Sequence, residues 1–185
     1  MNQHEDVQYG RYFIRTATIG DHARATAFAD GVEGPIAQAE ADTPEDAIET
    51  LCDMLDRRDG DREAARRKIG KFTVPTSKEY GEAWATLDLA PKLHAMALAH
   101  AAAGDEGMTA VELAAAAGYP TPAGVNLQYG MLGREIADAL DMDLPETLAY
   151  KGADAAIGLV GWKGTEREDG AFVWVMHPEL RKVVA

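Results

Sequence analysis

Five histidines, one cysteine and 31 carboxylates are the groups of this 185-residue chain that could hold a metal ion or move a proton. Their spacing argues against both uses. His4, His22, His94, His100 and His177 stand at no ligand spacing with one another or with Cys52, and a zinc site needs such groups in close pairs along the chain. His94 and His100, six apart, fall on different faces of one helix. Cys52 has no partner for an internal disulfide, which fits a reducing cytoplasm, and its place on the apolar side of a predicted helix makes it a packed thiol. Acid pairs such as Glu79/Glu82 and Asp141/Asp143 read as a solvated acidic face. The chain holds no Gly-x-Gly-x-x-Gly, no phosphate-binding loop and no Gly-x-Ser-x-Gly. These residues point to a protein that is not an enzyme and carries no cofactor or metal.

The charges suggest binding instead. Thirty-one acids against 18 bases give a formal charge of −13, whose field repels nucleic acid and anionic lipid at long range. The acidity is uneven. It lies in residues 1–150, while residues 151–185 balance five acids against five bases. Six bases cluster at Arg57, Arg58, Arg62, Arg66, Arg67 and Lys68. They read either as a solvated helix face paired with Asp59, Asp61 and Glu63, or as a phosphate-contacting patch. The N-terminus has neither the basic nor the apolar region of a signal peptide, and the least polar stretch, 93–103, spans about half a bilayer. The expectation is a cytoplasmic, globular protein with no membrane association.

The elements that position these groups can be read from periodicity. Residues 9–42 suggest three strands. Tyr12-Phe13-Ile14 begins an apolar run, Gly20-Asp21 offers a turn, and Ala23, Ala25, Ala27 and Ala29 alternate with His22, Arg24, Thr26 and Phe28. Past Gly31–Pro35 the alternation resumes with Ala37, Ala39 and Ala41. Two alanine faces side by side let a helix approach the sheet closely. That helix follows, with Thr43 as N-cap, Pro44 at the first position, Asp46 in a capping-box place, and an apolar stripe of Ala47, Ile48, Leu51, Cys52 and Leu55. Residues 1–58 are therefore expected to form a β-β-β-α unit.

The run Glu40-Ala-Asp-Thr-Pro-Glu-Asp-Ala-Ile-Glu-Thr-Leu51 resembles the strand-to-helix junction of HicB-type antitoxins. The resemblance implies an acidic module that pairs with a protein partner. Double-stranded-RNA-binding domains share the strand and helix order but need lysines where this chain has Glu45, Asp46 and Glu49.

Linker helices are expected over 59–88, with Thr76 or Ser77 capping one that bears Tyr80, Ala83, Trp84 and Leu87. A third body is expected over 89–185. Its helix over 90–103 stops at Gly104, and a short one is capped by Thr109 with Glu112 and ends at Gly118. A long one follows from Thr121-Pro122 to Leu140. Residues 155–162 and 171–177 then read as two strands joined by the polar loop 163–170. The fold class is α+β.

Helix, short helix, turn, longer helix and hairpin, with Thr109-Ala-Val-Glu-Leu-Ala-Ala-Ala-Ala-Gly118 at the first turn, resembles the winged helix-turn-helix superfamily. The resemblance implies that residues 122–140 form a recognition helix. Val125, Tyr129, Leu132, Ile136 and Leu140 share one stripe and face the core. Asn126, Gln128 and Arg134 fall off it and are the base-reading candidates, amides for adenine and guanidinium for guanine. Lys163 and Arg167 of the wing loop would contact phosphate. The same helix carries Glu135 and Asp138, and Leu127, Gly130, Met131 and Gly133 suggest a small, partly apolar face to which another backbone could come close. Two readings therefore stand. One is a DNA-associated regulator whose N-terminal unit serves a partner or homodimer formation. The other is an acidic protein-binding factor, an antitoxin-like module or phage-type inhibitor that presents carboxylates to a basic nucleic-acid-handling protein.

Overall fold

The structure is a computed structural model and describes residues 6–70, 72–144, 155–168 and 170–185. It is an α+β protein. The chain divides after Arg66 into two compact units.

The first unit is a four-stranded antiparallel meander backed by one helix. Its strands are β1 (Asp6–Tyr9), β2 (Tyr12–Ile19), β3 (His22–Ala29) and β4 (Ala37–Ala41), in that spatial order, followed by helix α1 (Pro44–Ala65). β1 is one strand more than the three expected. Its four residues, Asp-Val-Gln-Tyr, form a short and mostly polar edge, and only its pairing with β2, Val7 opposite Ile14, defines it as a strand. The alanine faces meet in register, Ala23 opposite Ala41, Ala25 opposite Ala39 and Ala27 opposite Ala37. Ala47, Leu51 and Leu55 of α1 are buried against them. Thr43 caps α1: its hydroxyl oxygen accepts from the Asp46 N–H at 3.2 Å and its O–H donates to the Asp46 carboxylate at 2.8 Å. Tyr9 donates to Asp56 at 2.8 Å and Tyr12 donates to Asp59, fastening the first two strands to α1. α1 continues to Ala65, beyond the boundary at 58 read from the sequence, since no proline interrupts it and Gly60 does not stop it.

Residues 67–88, expected as linker helices, belong to the second unit. They form a hairpin of β5 (Arg67–Ile69) and β6 (Phe72–Val74), then helix α2 (Ser77–Trp84), capped by the reciprocal bonds of Thr76 and Glu79. Helices α3 (Pro91–Ala102), α4 (Ala110–Ala117) and α5 (Ala123–Leu140) follow, with the two-residue strand β7 (Met108–Thr109) between α3 and α4. Strands β8 (Gly161–Glu166) and β9 (Phe172–Met176) form the second hairpin, and α6 (Pro178–Val184) ends the chain. β7 pairs with β9, so the sheet order is β7-β9-β8. Trp174, Tyr80, Tyr129, Met96, Leu113, Leu132 and Ile136 are fully enclosed in the core of this unit.

Two expectations are corrected here. Thr121 does not cap α5; Pro122 occupies the N-cap place and no side-chain bond is made there. Residues 155–159 are a 3-10 turn and not the start of a strand, which begins at Gly161. An apolar run does not by itself separate a buried strand from a buried turn. Here the backbone acceptors are taken by groups from elsewhere: Tyr80 donates to the Leu159 carbonyl, and His177 donates through Nε2 to Gly158 at 2.8 Å and through its N–H to Val160 at 3.1 Å.

Candidate nucleic-acid interface

The element pair α4 and α5, with the β8–β9 hairpin, positions every candidate site residue named from the sequence. Thr109 caps α4 through a complete capping box: its hydroxyl oxygen accepts from the Glu112 N–H at 3.3 Å, while the Glu112 carboxylate accepts from the Thr109 N–H at 2.8 Å. Gly118 ends α4 in the left-handed conformation, φ +65, which a side chain would resist. Tyr119 N–H donates to the Ala114 carbonyl at 2.8 Å and Lys92 donates to that of Gly118 at 3.1 Å, so the turn into α5 is held from both sides.

On α5 the core stripe lies where the period places it, with Val125, Tyr129, Leu132, Ile136 and Leu140 all buried. The outward side carries Leu127, 60% exposed, Met131, 42% exposed, and Arg134, Glu135 and Asp138, all exposed. Asn126 and Gln128 are half-buried. Two residues apart on a helix, they stand about 160° from one another round its axis and share no face. Gln128 borders the outward side, and Asn126 borders the buried one beside Gly130 and Gly133. The structure therefore does not gather Asn126, Gln128 and Arg134 into one reading edge.

The glycines are also placed differently from expectation. Gly130 and Gly133 are buried within the chain, and a side chain at Gly133 would run into the backbone carbonyl of Ala156. The close backbone inferred from these glycines comes, at Gly133, from the chain's own 3-10 turn. Of the four residues assigned to a protein-binding face, only Leu127 and Met131 are exposed.

Lys163, expected in the loop, lies on β8 opposite Trp174, because the strand starts at Gly161 and runs on to Glu166; it is exposed, with its ammonium 5.0 Å from the centre of the Phe172 ring. Arg167 is half-exposed and donates to Glu112 at 2.7 Å. That bond, followed by the Thr109 N–H, holds the Glu112 carboxyl down at about 2. Exposed Glu166 at the end of β8 and exposed Glu168 in the loop flank Arg167, so the local potential is not strongly positive. The six-base run is split between elements. Arg57, Arg58 and Arg62 lie on α1, whereas Arg67 opens β5 and grips Glu179 through two bonds of 2.8 and 2.9 Å.

Two buried imidazoles escaped the sequence reading. His100 on α3 is enclosed; Nε2 donates to the Trp174 carbonyl at 2.8 Å, which leaves Nδ1 to accept from the Tyr129 hydroxyl at 3.0 Å. His177 donates from Nε2 to the Gly158 carbonyl, and its Nδ1 faces the Arg67 guanidinium at 3.5 Å. Burial lowers both to about 4. Each is neutral at pH 7 and fastens one end of the second hairpin: His100 from the helices to β9, and His177 from the end of β9 to the 3-10 turn. The helical spacing of His100 with Met96, Ala97 and Ala101 was the available signal for its burial.

Among the described residues no cluster of three His, Cys, Asp or Glu side chains is arranged to hold a metal ion, and no helix is long and apolar enough to cross a membrane. On the first unit, Glu45, Asp46, Glu49, Asp53 and Asp56 lie exposed along the N-terminal half of α1. Comparison of the chain with protein families, with curated proteins and with solved structures gives no significant match.

Proposed function

We propose that this chain is a non-enzymatic, cytoplasmic, DNA-associated regulatory protein in which the second unit, winged-helix-like, meets duplex DNA. The observation that carries this reading is the α4–α5 pair, crossed at left-handed Gly118 and tied to the β8–β9 hairpin through the β7–β9 ladder. A helix with an exposed outward side, in the same unit as a two-stranded hairpin, suits the major groove and its flanking phosphate. Arg134 and Gln128 are the residues best placed to meet base edges, with Lys163 and Arg167 at the backbone. Binding is expected to be modest, because Glu135 and Asp138 share the outward side with Arg134.

The test is titration of a labelled random duplex at about 50 mM salt, where phosphate contacts count most. Arg134→Ala and Lys163→Ala should each weaken binding. No binding by the wild-type chain at micromolar concentration overturns the reading.

A second reading is favoured by the five exposed carboxylates on α1. Here the first unit is an acidic protein-binding face that presents a phosphate-like row of charge to a basic nucleic-acid-handling partner, or mediates assembly of a homodimer. Retrieval of such a partner, lost when Glu49 and Asp53 are changed to Gln and Asn, would support it.

A further inference from the structure

The sheet of the first unit ends on β1 at one side and on β4 at the other. β1 is blunted by its length of four residues and by Asp6. β4, Ala-Gln-Ala-Glu-Ala, has no proline, no lysine and no bulge in its ladder with β3, which are the usual devices that keep an edge from pairing. Among the described residues β3 is its only strand partner, so its outward row of backbone groups is a template for one more strand.

The side of α1 above that edge is given by the fastenings of the helix. Asp56 and Asp59 reach Tyr9 and Tyr12 on β1 and β2, so the opposite flank faces β4. Helical spacing puts Asp46, Thr50, Met54 and Arg57 on that flank. All four are exposed, Met54 by 40%. A large apolar side chain with an acid before it and a base after it complements a copy of the same helix running the other way.

We propose that the first unit forms a homodimer by antiparallel pairing of β4 with β4 of a second copy, the two α1 helices packing side by side across the two-fold axis. The proposal rests on the homodimer named in the second reading and is independent of DNA binding. Pairing about Ala39 sets Gln38 opposite the partner's Glu40 on the outer face. Glu40 takes both Arg24 bonds, 2.8 and 2.5 Å, on Oε1, which leaves Oε2 for that amide. α1 lies over β3 and β4. A helix so centred stands about 5 Å from the axis, which puts the two helices about 10 Å apart, the separation of packed helices. α1 starts three residues after β4 ends and runs back along it. Thr50 therefore lies near the axis, Met54 against the partner helix, and Arg57 within reach of the partner's Asp46. Symmetry makes each contact twice. Glu45, Glu49 and Asp56 point away from the axis, which keeps their charge out of the interface.

The experiment is sedimentation velocity of the full chain, without DNA, over about 1 to 100 μM, the range of a modest self-association. The wild type should reach twice the chain mass. Met54→Lys, which places a charge in each half of the interface, should raise the dissociation constant about tenfold or more. Arg57→Glu should raise it roughly threefold to tenfold, and adding Asp46→Lys should restore it. Circular dichroism confirms that these surface variants keep their fold. A wild type that keeps the mass of one chain throughout overturns the proposal, as does a dimer that neither Met54→Lys nor Arg57→Glu weakens. Retrieval of a basic partner through Glu49 and Asp53 is read separately, so the acidic-face reading and the homodimer can fail independently.

Discussion

Residues 6–66 build their core from alanines on two neighbouring strands under Leu51 and Leu55. Residues 67–185 build theirs around Trp174, Tyr80 and Tyr129 and seal two imidazoles inside it. In the first unit the only buried polar side chain among the described residues is Thr16; in the second they are Glu79, Glu82, His100, Thr109 and His177. Small side chains bring helix and sheet close and leave no room for substitution. Large ones leave irregular spaces that polar groups fill, and those groups must then find partners. The first unit is therefore sensitive to volume, the second to volume and to protonation.

The largest effect that separates the two is expected at Trp174. Trp174→Ala should cost the second unit about 3–5 kcal/mol, the range for removing a buried aromatic side chain. All three tryptophans, Trp84, Trp162 and Trp174, belong to that unit, so the fluorescence of the two that remain reports the shifted transition. An unchanged midpoint in denaturant would show that the core is not built around that ring.

Acid should discriminate next. His100 and His177 titrate at about 4 in the folded chain, below the ordinary 6.5, so the unfolded chain takes up their protons first as the pH falls. The stability they confer is complete above about pH 6.5 and is lost as the pH drops toward 4. Each contributes on the order of 3 kcal/mol over that window. Denaturant unfolding followed by tryptophan fluorescence at pH 7, 5.5 and 4.5 should show a steadily falling midpoint. A flat profile would mean that the imidazoles are not enclosed.

The first unit should answer to volume. Ala27→Leu, at a fully buried position opposite Ala37, is expected to cost about 1–3 kcal/mol through overpacking. Circular dichroism would register it while the tryptophan signal stays unchanged. If both signals moved together, the two cores would not be energetically separate. Smallest of all, Arg24→Ala should cost at most about 1 kcal/mol, because its pair with Glu40 lies on the surface. Raising the salt should shrink even that difference.

Legibility in the sequence followed the range of the interactions. The alternation of alanines over 23–29 and 37–41, the caps at Thr43, Thr76 and Thr109, and the stop at Gly118 are local patterns, and each element they specify is present. Strand β1 and the 3-10 turn at 155–159 were not legible. The first exists because of the strand beside it. The second exists because side chains from α2 and from the N-cap of α6 take its carbonyls. The candidate site divides in the same way. Helical period located Leu127, Met131 and Arg134 on the outward side of α5, but placing Asn126 against the buried side required the helix to be packed.

The sequence by itself determined the acidic balance, the absence of a catalytic signature, the α+β order and the faces of the long helices, because composition and period are properties of neighbouring residues. Tertiary structure alone decided that Gly133 abuts Ala156, that His100 and His177 are enclosed, and that Arg167 is paired with Glu112, 55 residues away. Such pairings depend on which surfaces meet after the elements have formed, and spacing along the chain carries no record of that.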